Sequence, residues 1–274
     1  MWSRLQYEYN KPMILKRDPA SHKTDNGVVA IVGGSETMHG APLFAALAAE
    51  ASGVDLVHVC LPRLHQEVAK RTSLNFQVHP FEGDNIIDND QEKILELLAG
   101  MDCAVIGPGI AYNENSTEVV KSIAAEAVCP LVLDAAALQP STLSATKGSQ
   151  VVVTPHLGEL ERMEIDPEKI GEEARKFESA IFLKGQVDKI ALPDGSTETI
   201  EGGNAGLTVG GSGDALSGLI CGLIAQGMDT NEACITAGSI IKNAGEALFK
   251  EKGYAYTTED IIDQIPKLLT SYIE

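Results

Sequence analysis

The chain has 274 residues, 44% of them hydrophobic, and a formal net charge of −18 at pH 7. This length allows one large domain with a substantial core, and apolar runs are too short and too often interrupted for a membrane helix. The negative field repels nucleic acid and anionic membranes, and no apolar segment follows the first charges as in a secretion signal, so we expect a soluble cytoplasmic protein that binds neither.

Short apolar segments alternate with segments of helical periodicity over the first two thirds of the chain, which is typical of βα units around a largely parallel sheet. Strands are predicted at 28–32, 55–60, 103–106, 131–133, 151–154 and 181–184. Helices are predicted at 41–51, 91–99, 116–127 and 167–177. A β-hairpin is predicted over 189–200 around Pro193-Asp194-Gly195, because Pro and Gly favour turns. No repeat or linker divides the chain, so one α/β domain over 1–274 is expected.

After residue 203 the chain predicts a glycine-rich loop and three helices, at 214–225, 231–250 and 258–270, with no further strand. Unpaired amides at the start of the first of these helices, with those of Gly211, Ser212 and Gly213, suit a phosphate group. Asp214 lies at the same helix start. It either caps the helix or takes a proton from a substrate hydroxyl, and the pattern leaves both roles open.

The cysteines carry no metal or disulfide pattern. Their number is odd and none forms a C-x-x-C pair, which favours free buried thiols over a disulfide framework or a zinc site. They are Cys60, Cys103, Cys129, Cys221 and Cys234.

Five segments in order resemble the ADP- or ATP-dependent NAD(P)H-hydrate dehydratases, a branch of the ribokinase-like kinases. They are RDPASHKTDNG (17–27), VGGSETMHGAP (32–42), VIGPGI (105–110), VVTPHLGELERM (152–163) with LKG (183–185), and GNAGLTVGGSGDALSG (203–218). The resemblance covers almost the whole chain. It implies a ribokinase-like three-layer α/β/α sandwich with a largely parallel central sheet, and a homo-oligomer.

The resemblance also implies two ligand sites, one for the hydrate of NADH or NADPH and one for ADP or ATP, with Mg²⁺ as cofactor. The implied hydrate-binding residues are Ser35, Gly40, Ala41, Gly107, Gly109, His156 and Asp214. The implied nucleotide-binding residues are Lys184, Gly185, Gln186, Val187, Asp188, Asn204, Gly211, Ser212 and Gly213. Asp134 is the implied metal ligand, directly or through water. From the residues alone, His156 could instead be satisfied by local hydrogen bonds, and Lys184 could extend into solvent.

By the same resemblance, Asp214 accepts the proton of the substrate hydroxyl as this oxygen attacks the terminal phosphoryl group of the nucleotide. The phosphate ester then leaves and the dihydronicotinamide is restored. Two alternatives stay open: a ribokinase-like kinase for a vitamin or sugar, and a non-catalytic nucleotide-binding protein.

Four positions depart from the family pattern. Ala136, in Asp134-Ala135-Ala136-Ala137-Leu138, stands where the family usually has a second Asp. The absence of this second carboxylate is expected to weaken turnover or redirect it to another substrate. Thr24 and Ala111 each replace a usual glycine, and Ala205 replaces a usual proline.

Overall fold

The computed structural model describes Leu15 and residues 17–272. The rest of the predicted domain, residues 1–14, 16 and 273–274, lies outside the described residues. Its strands are β1 (Val28–Val32), β2 (Leu56–Pro62), β3 (Phe76–Phe81), β4 (Cys103–Ile106), β5 (Leu131–Leu133), β6 (Val151–Val153), β7 (Ala180–Leu183), β8 (Asp188–Ala191) and β9 (Thr197–Ile200). Within the described chain they form one sheet in the order β3-β2-β1-β4-β5-β6-β7-β8-β9.

The sheet is parallel from β3 through β7, whereas β8 and β9 pair antiparallel at the other end. Its helices are α1 (Gly40–Ala51), α2 (Gln66–Thr72), α3 (Gln91–Leu98), α4 (Glu114–Glu126), α5 (Thr142–Ala145), α6 (Leu157–Arg162), α7 (Ile170–Phe177), α8 (Ser212–Ala225), α9 (Thr230–Lys252) and α10 (Thr258–Leu269). No helix of the described part of the chain is long and apolar enough to cross a bilayer.

Alternating side chains of each strand point to opposite faces of the sheet, and each face has its own apolar cluster. Val29 and Ile31 of β1 belong to the cluster formed with α1, α8, α9 and α10. Ala30 and Val32 belong to the cluster formed with α3, α4, α6 and α7. The predicted three-layer α/β/α sandwich is therefore confirmed, and the cysteines are free and buried as expected.

The sequence did not predict β3, α2, α5 or α6. Strand β3 has the sequence FQVHPF and lies at one edge of the sheet. Its Pro80 cannot donate a ladder hydrogen bond, which an edge strand tolerates and a central strand does not. This edge strand was not predicted because its segment contains a proline and mixes polar with apolar residues, so it lacks the pattern of a buried strand.

Helices α1 and α8 pack backbone to backbone, which places the start of α8 over the sheet. A Cβ at Gly218 would lie 2.0 Å from the Ala45 carbonyl oxygen, and one at Gly222 would lie 2.2 Å from Ser52 Oγ. Only glycine allows this approach. The glycines of the predicted helix therefore position Asp214, which lies in its first turn.

Candidate active site

The candidate site lies at the carboxyl edge of the parallel sheet. Asp134 follows β5, His156 lies just after β6, and Lys184 follows β7. The carboxyl ends of parallel strands meet at one edge, where α/β proteins bind their ligands. Residues that are up to 50 positions apart in the sequence thus come into contact.

Lys184 is surrounded by carboxylates. Its Nζ donates to Asp134 Oδ1 at 2.9 Å and lies 3.6 Å from Glu159 Oε2. The Lys184 side chain is only 19% exposed, so the alternative of extension into solvent is wrong. Burial opposes the charge, but Asp134, Glu159 and Asp214 outweigh that effect and raise the pKa of Lys184. The lysine is therefore a fixed cation inside a negative cluster.

Asp214 lies in the first turn of α8 and is not the helix cap. Helix α8 begins two residues earlier than predicted, at Ser212, and its N-cap is Gly211 with a φ of +100°. The Asp214 carboxylate has no hydrogen-bond or ion-pair partner among the described residues. Burial, and next the nearby Asp134, raise the pKa of Asp214 to about 7 against the opposing effect of Lys184. A carboxyl group that titrates near neutral pH is matched to general base chemistry.

The start of α8 offers free amides beside Lys184. The N–H groups of Gly211, Gly213 and Asp214 have no acceptor within the described chain, whereas Ser212 donates its own to Val209 O at 3.3 Å. The Ser212 hydroxyl donates to Leu207 O at 2.7 Å. A Cβ at Gly213 would lie 3.2 Å from Lys184 Nζ, so the ammonium group lies against this turn. Unpaired amides and a cation together form an anion-binding site.

A cavity of about 990 Å³ adjoins this site. Predicted residues that line it are His156, Lys184, Gly185, Gln186, Val187, Asp188, Asn204, Ser212 and Gly213. The structure thus brings together all the predicted nucleotide-binding residues except Gly211, which is not among the residues lining the cavity. Their binding of a nucleotide stays a prediction.

Two of these residues use their side chains to hold the cavity wall. Asp188 Oδ1 accepts the Gly185 N–H at 2.8 Å, so this carboxylate faces its own loop. Asn204 donates to Gly245 O at 2.7 Å and accepts from the Gly206 N–H and from the Tyr256 hydroxyl at 2.9 and 2.8 Å. Both side chains therefore stabilise the conformation of the cavity wall through hydrogen bonds within the protein.

The predicted hydrate-binding glycines allow two loops to touch. Gly107 has a φ of +122°, and a Cβ there would lie 1.9 Å from the Asp134 carbonyl oxygen. A Cβ at Gly109 would lie 3.2 Å from the Cβ of Ala41. The loop after β4 therefore packs against the start of α1, whose first residue is Gly40.

Ser35 lies in the loop that leads into α1 and is buried. His65 Nε2 lies 2.9 Å from the Ser35 carbonyl oxygen and 3.1 Å from that of Glu36. Because both neighbours are acceptors, Nε2 carries the proton and donates to them. No pattern in the sequence singled out His65, yet it holds this predicted substrate loop.

His156 combines the two interpretations that the sequence left open. Its Nδ1 accepts the Glu159 N–H at 3.1 Å, and its own backbone N–H donates to Glu159 Oε2 at 2.8 Å, forming a capping box at the start of α6. Nδ1 is thus satisfied locally, as one interpretation proposed. The side chain is 59% exposed and lines the cavity, and its Nε2 lies 3.6 Å from Glu159 Oε1.

Glu159 and Arg162 lie in the segment VVTPHLGELERM (152–163), which carries part of the family resemblance, but the sequence analysis assigned them no role. Arg162 donates to Leu138 O at 2.9 Å and to Ala135 O at 3.0 Å, and so holds the turn after Asp134. Ala135 in that turn has a φ of +49°. Ala136, the departure from the family pattern, is fully buried in the apolar cluster.

Comparison with known proteins identifies the family. Residues 29–267 match the model of a family described as NAD(P)H-hydrate dehydratase. The chain is 34% identical, over 96% of its length and 95% of the relative's, to the ADP-dependent (S)-NAD(P)H-hydrate dehydratase of Nitrosopumilus maritimus. The chain belongs to the NAD(P)H-hydrate dehydratase family.

Solved structures agree with this family membership. The ADP/ATP-dependent NAD(P)H-hydrate dehydratase from Bacillus subtilis, co-crystallised with ATP/Mg²⁺, matches with a TM-score of 0.80 and 26% identity, and the match covers 93% of both chains. A ribokinase-like superfamily protein from Enterococcus faecalis matches with a TM-score of 0.82 and 23% identity over 94% of this chain and 91% of that one. The second match bears on the fold alone. The predicted family and the ribokinase-like fold are both confirmed.

Proposed function

We propose that this NAD(P)H-hydrate dehydratase family member removes water from the 6-hydroxy hydrate of NADH or NADPH, with ADP or ATP as phosphoryl donor. The observation that carries the proposal is Asp214, a buried carboxyl group with a pKa of about 7 beside Lys184 and the free amides of α8. The names of the Nitrosopumilus and Bacillus relatives support the choice of substrate and donor.

Asp214 acts as general base in this reaction. It takes the proton of the C6 hydroxyl as that oxygen attacks the terminal phosphoryl group, and the nucleotide leaves one phosphate shorter. Lys184 and the amides of Gly213 and Asp214 stabilise the negative charge of the transferred group. The lone pair of the ring nitrogen then expels phosphate from C6, and loss of a proton from C5 restores the dihydronicotinamide.

The donor set of the site suits Mg²⁺. Within the described residues no group of three or more His, Cys, Asp or Glu is arranged to hold a metal ion by itself. Mg²⁺ in phosphoryl-transfer sites usually takes one or two carboxylates together with substrate phosphates and water. Asp134 and Glu159, which flank Lys184, would hold it in this way. When bound, Mg²⁺ neutralises charge on the phosphates.

The test is to incubate purified protein and Mg²⁺ with NADPH hydrate, with or without ADP or ATP, and to follow the absorbance of the dihydronicotinamide. We expect absorbance to rise only when nucleotide is present. Nucleotide consumption without NADPH formation would favour the small-molecule kinase. If no nucleotide is consumed at any Mg²⁺ concentration, the chain is a non-catalytic binding protein.

Four further properties stay proposals: the Mg²⁺ requirement, a homo-oligomer, a cytoplasmic location, and the absence of binding to nucleic acid or membranes. The net charge of −18 supports the last of these. Titration with EDTA tests the metal requirement, and light scattering on the purified protein tests the assembly.

A further inference from the structure

Lys242, in the middle of α9, has a buried ammonium group that contacts the loop between β7 and β8. The residue is 6% exposed. Its Nζ donates to the carbonyl oxygens of Gly185 and Gln186, both at 2.9 Å, and lies 3.4 Å from Asp188 Oδ2. Two of the three ammonium protons are thus donated to the loop carbonyls, and the charge is paired with the Asp188 carboxylate.

The orientation of the two carbonyl groups also determines the orientation of the two following amides. A trans peptide group is planar, and its C=O and N–H point to opposite sides. Because the carbonyls of Gly185 and Gln186 point toward Lys242 Nζ, the N–H groups of Gln186 and Val187 point away from that ammonium group. Neither N–H donates to an acceptor among the described residues, and both residues line the cavity. Consecutive free amides are a common anion-binding arrangement.

We propose that Lys242 is a positioning residue for the phosphoryl donor: it turns two peptide groups so that the amides of Gln186 and Val187 face the donor's phosphates. Asp188 completes the arrangement, because it accepts the Gly185 N–H and pairs with Lys242. The inference deepens the proposed function, since it takes ADP or ATP as the ligand of this cavity. It differs from the role of Lys184, whose ammonium group lies against the start of α8.

The test compares ADP with adenosine, which lacks phosphates, by calorimetry on Lys242→Met. This change keeps an unbranched side chain and removes the ammonium group. We expect ADP to bind about tenfold more weakly, the effect of losing one or two oriented hydrogen bonds, and adenosine to bind within about twofold of wild type. Lys242→Arg, which keeps a cationic donor, should restore part of the ADP affinity. Lys250→Met, at an exposed position of the same helix, is the matched control and should bind both ligands as wild type does.

Lys242→Met leaves the Asp188 carboxylate buried without its partner, which can destabilise the fold. The double variant Asp188→Asn with Lys242→Met removes that charge, and the carboxamide oxygen it introduces can still accept the Gly185 N–H. We expect its thermal midpoint to recover while ADP binding stays weak. Unchanged ADP affinity in this double variant, or equal losses for ADP and adenosine, would overturn the inference. Calorimetry needs no turnover, so the two proposals can fail separately. If the wild-type protein does not dehydrate the hydrate but Lys242→Met still weakens the binding of ADP and not of adenosine, only the proposed function is contradicted.

Discussion

The two sides of Asp214 are held together by different kinds of interaction. On the side of the cavity, buried charged groups hold the loops: Lys184 contacts Asp134, and Lys242 contacts Asp188. On the side of the predicted hydrate site, glycines allow backbone segments to pack in direct contact, for example Gly107 against the Asp134 carbonyl group. A charged contact can be weakened by degrees, whereas a steric contact tolerates almost no added atom. The two sides should therefore respond differently to substitution.

Asp214→Asn, between the two sides, should have the largest effect. Loss of a general base lowers kcat by about 10²-fold or more, while the ADP affinity measured by calorimetry should change little. Near-normal turnover would remove Asp214 from the reaction.

The raised pKa of Asp214 also has a consequence for stability. The protonated carboxyl group contributes stability that is fully present below its ordinary pKa of 3.8 and is lost as pH rises through the folded-state pKa of about 7. Asp214→Asn stays neutral throughout this range. The variant should therefore melt at a higher temperature than wild type at pH 8, and calorimetric melts of both proteins measure the difference.

The importance of the close backbone contacts on the predicted hydrate side can be measured by comparing the stability of Gly107→Ala with that of Gly109→Ala. A Cβ at Gly107 would lie 1.9 Å from a carbonyl oxygen, whereas the nearest contact at Gly109 would be 3.1 Å, although both residues have positive φ. Positive φ costs an alanine about 1–2 kcal/mol, and the clash at Gly107 adds to it. Urea denaturation should show Gly107→Ala losing about 3 kcal/mol or more and Gly109→Ala about half as much. Equal losses would mean that strain in φ, and not the close approach, governs this loop.

On the charged side, two substitutions should move the pH profile in opposite directions. The base must be deprotonated, so wild-type kcat/KM should rise with pH through about 7. Lys184 lowers the pKa of Asp214 and Asp134 raises it. Lys184→Met should therefore shift the rise to higher pH, and Asp134→Asn should shift it to lower pH. Both variants also lose absolute rate, so the position of the rise is the quantity to compare. A rise at the same pH in both would assign it to another group.

Thr24→Gly, at a residue that belongs to neither predicted site, should have the smallest effect. Thr24 has a φ of +85°, which strains a β-branched residue, and it stands where the family usually has glycine. Release of this strain is largely offset by the greater freedom of glycine in the unfolded chain. We expect a gain of at most about 1 kcal/mol in the free energy of unfolding by urea denaturation, with unchanged kcat. A clear loss of stability would show that the threonine side chain itself supports this segment.

Much of the fold could be predicted because several signals are local. The apolar runs of β1, β4 and β5 each lie on a strand buried on both faces, and their pattern needs no partner to be recognised. The glycine-rich segment before α8 was equally clear. Element ends were less accurate: α8 begins at Ser212 because Gly211 adopts a positive φ, which the letters G-G-S-G-D do not specify.

The sequence alone determined the fold class, the family and half of the residues that line the cavity, because these depend on local patterns and on motif order. Only the tertiary structure decided which contacts those residues make. Lys184 and Asp134 are 50 residues apart, and their contact exists only because β5 and β7 end at the same edge of one sheet. Lys242 is the only charged residue among the buried residues of α9, and it contacts the loop after β7 only because α9 packs beside that loop. The pKa of Asp214 likewise depends on burial and on charges brought near by folding, since both act through space and not along the chain.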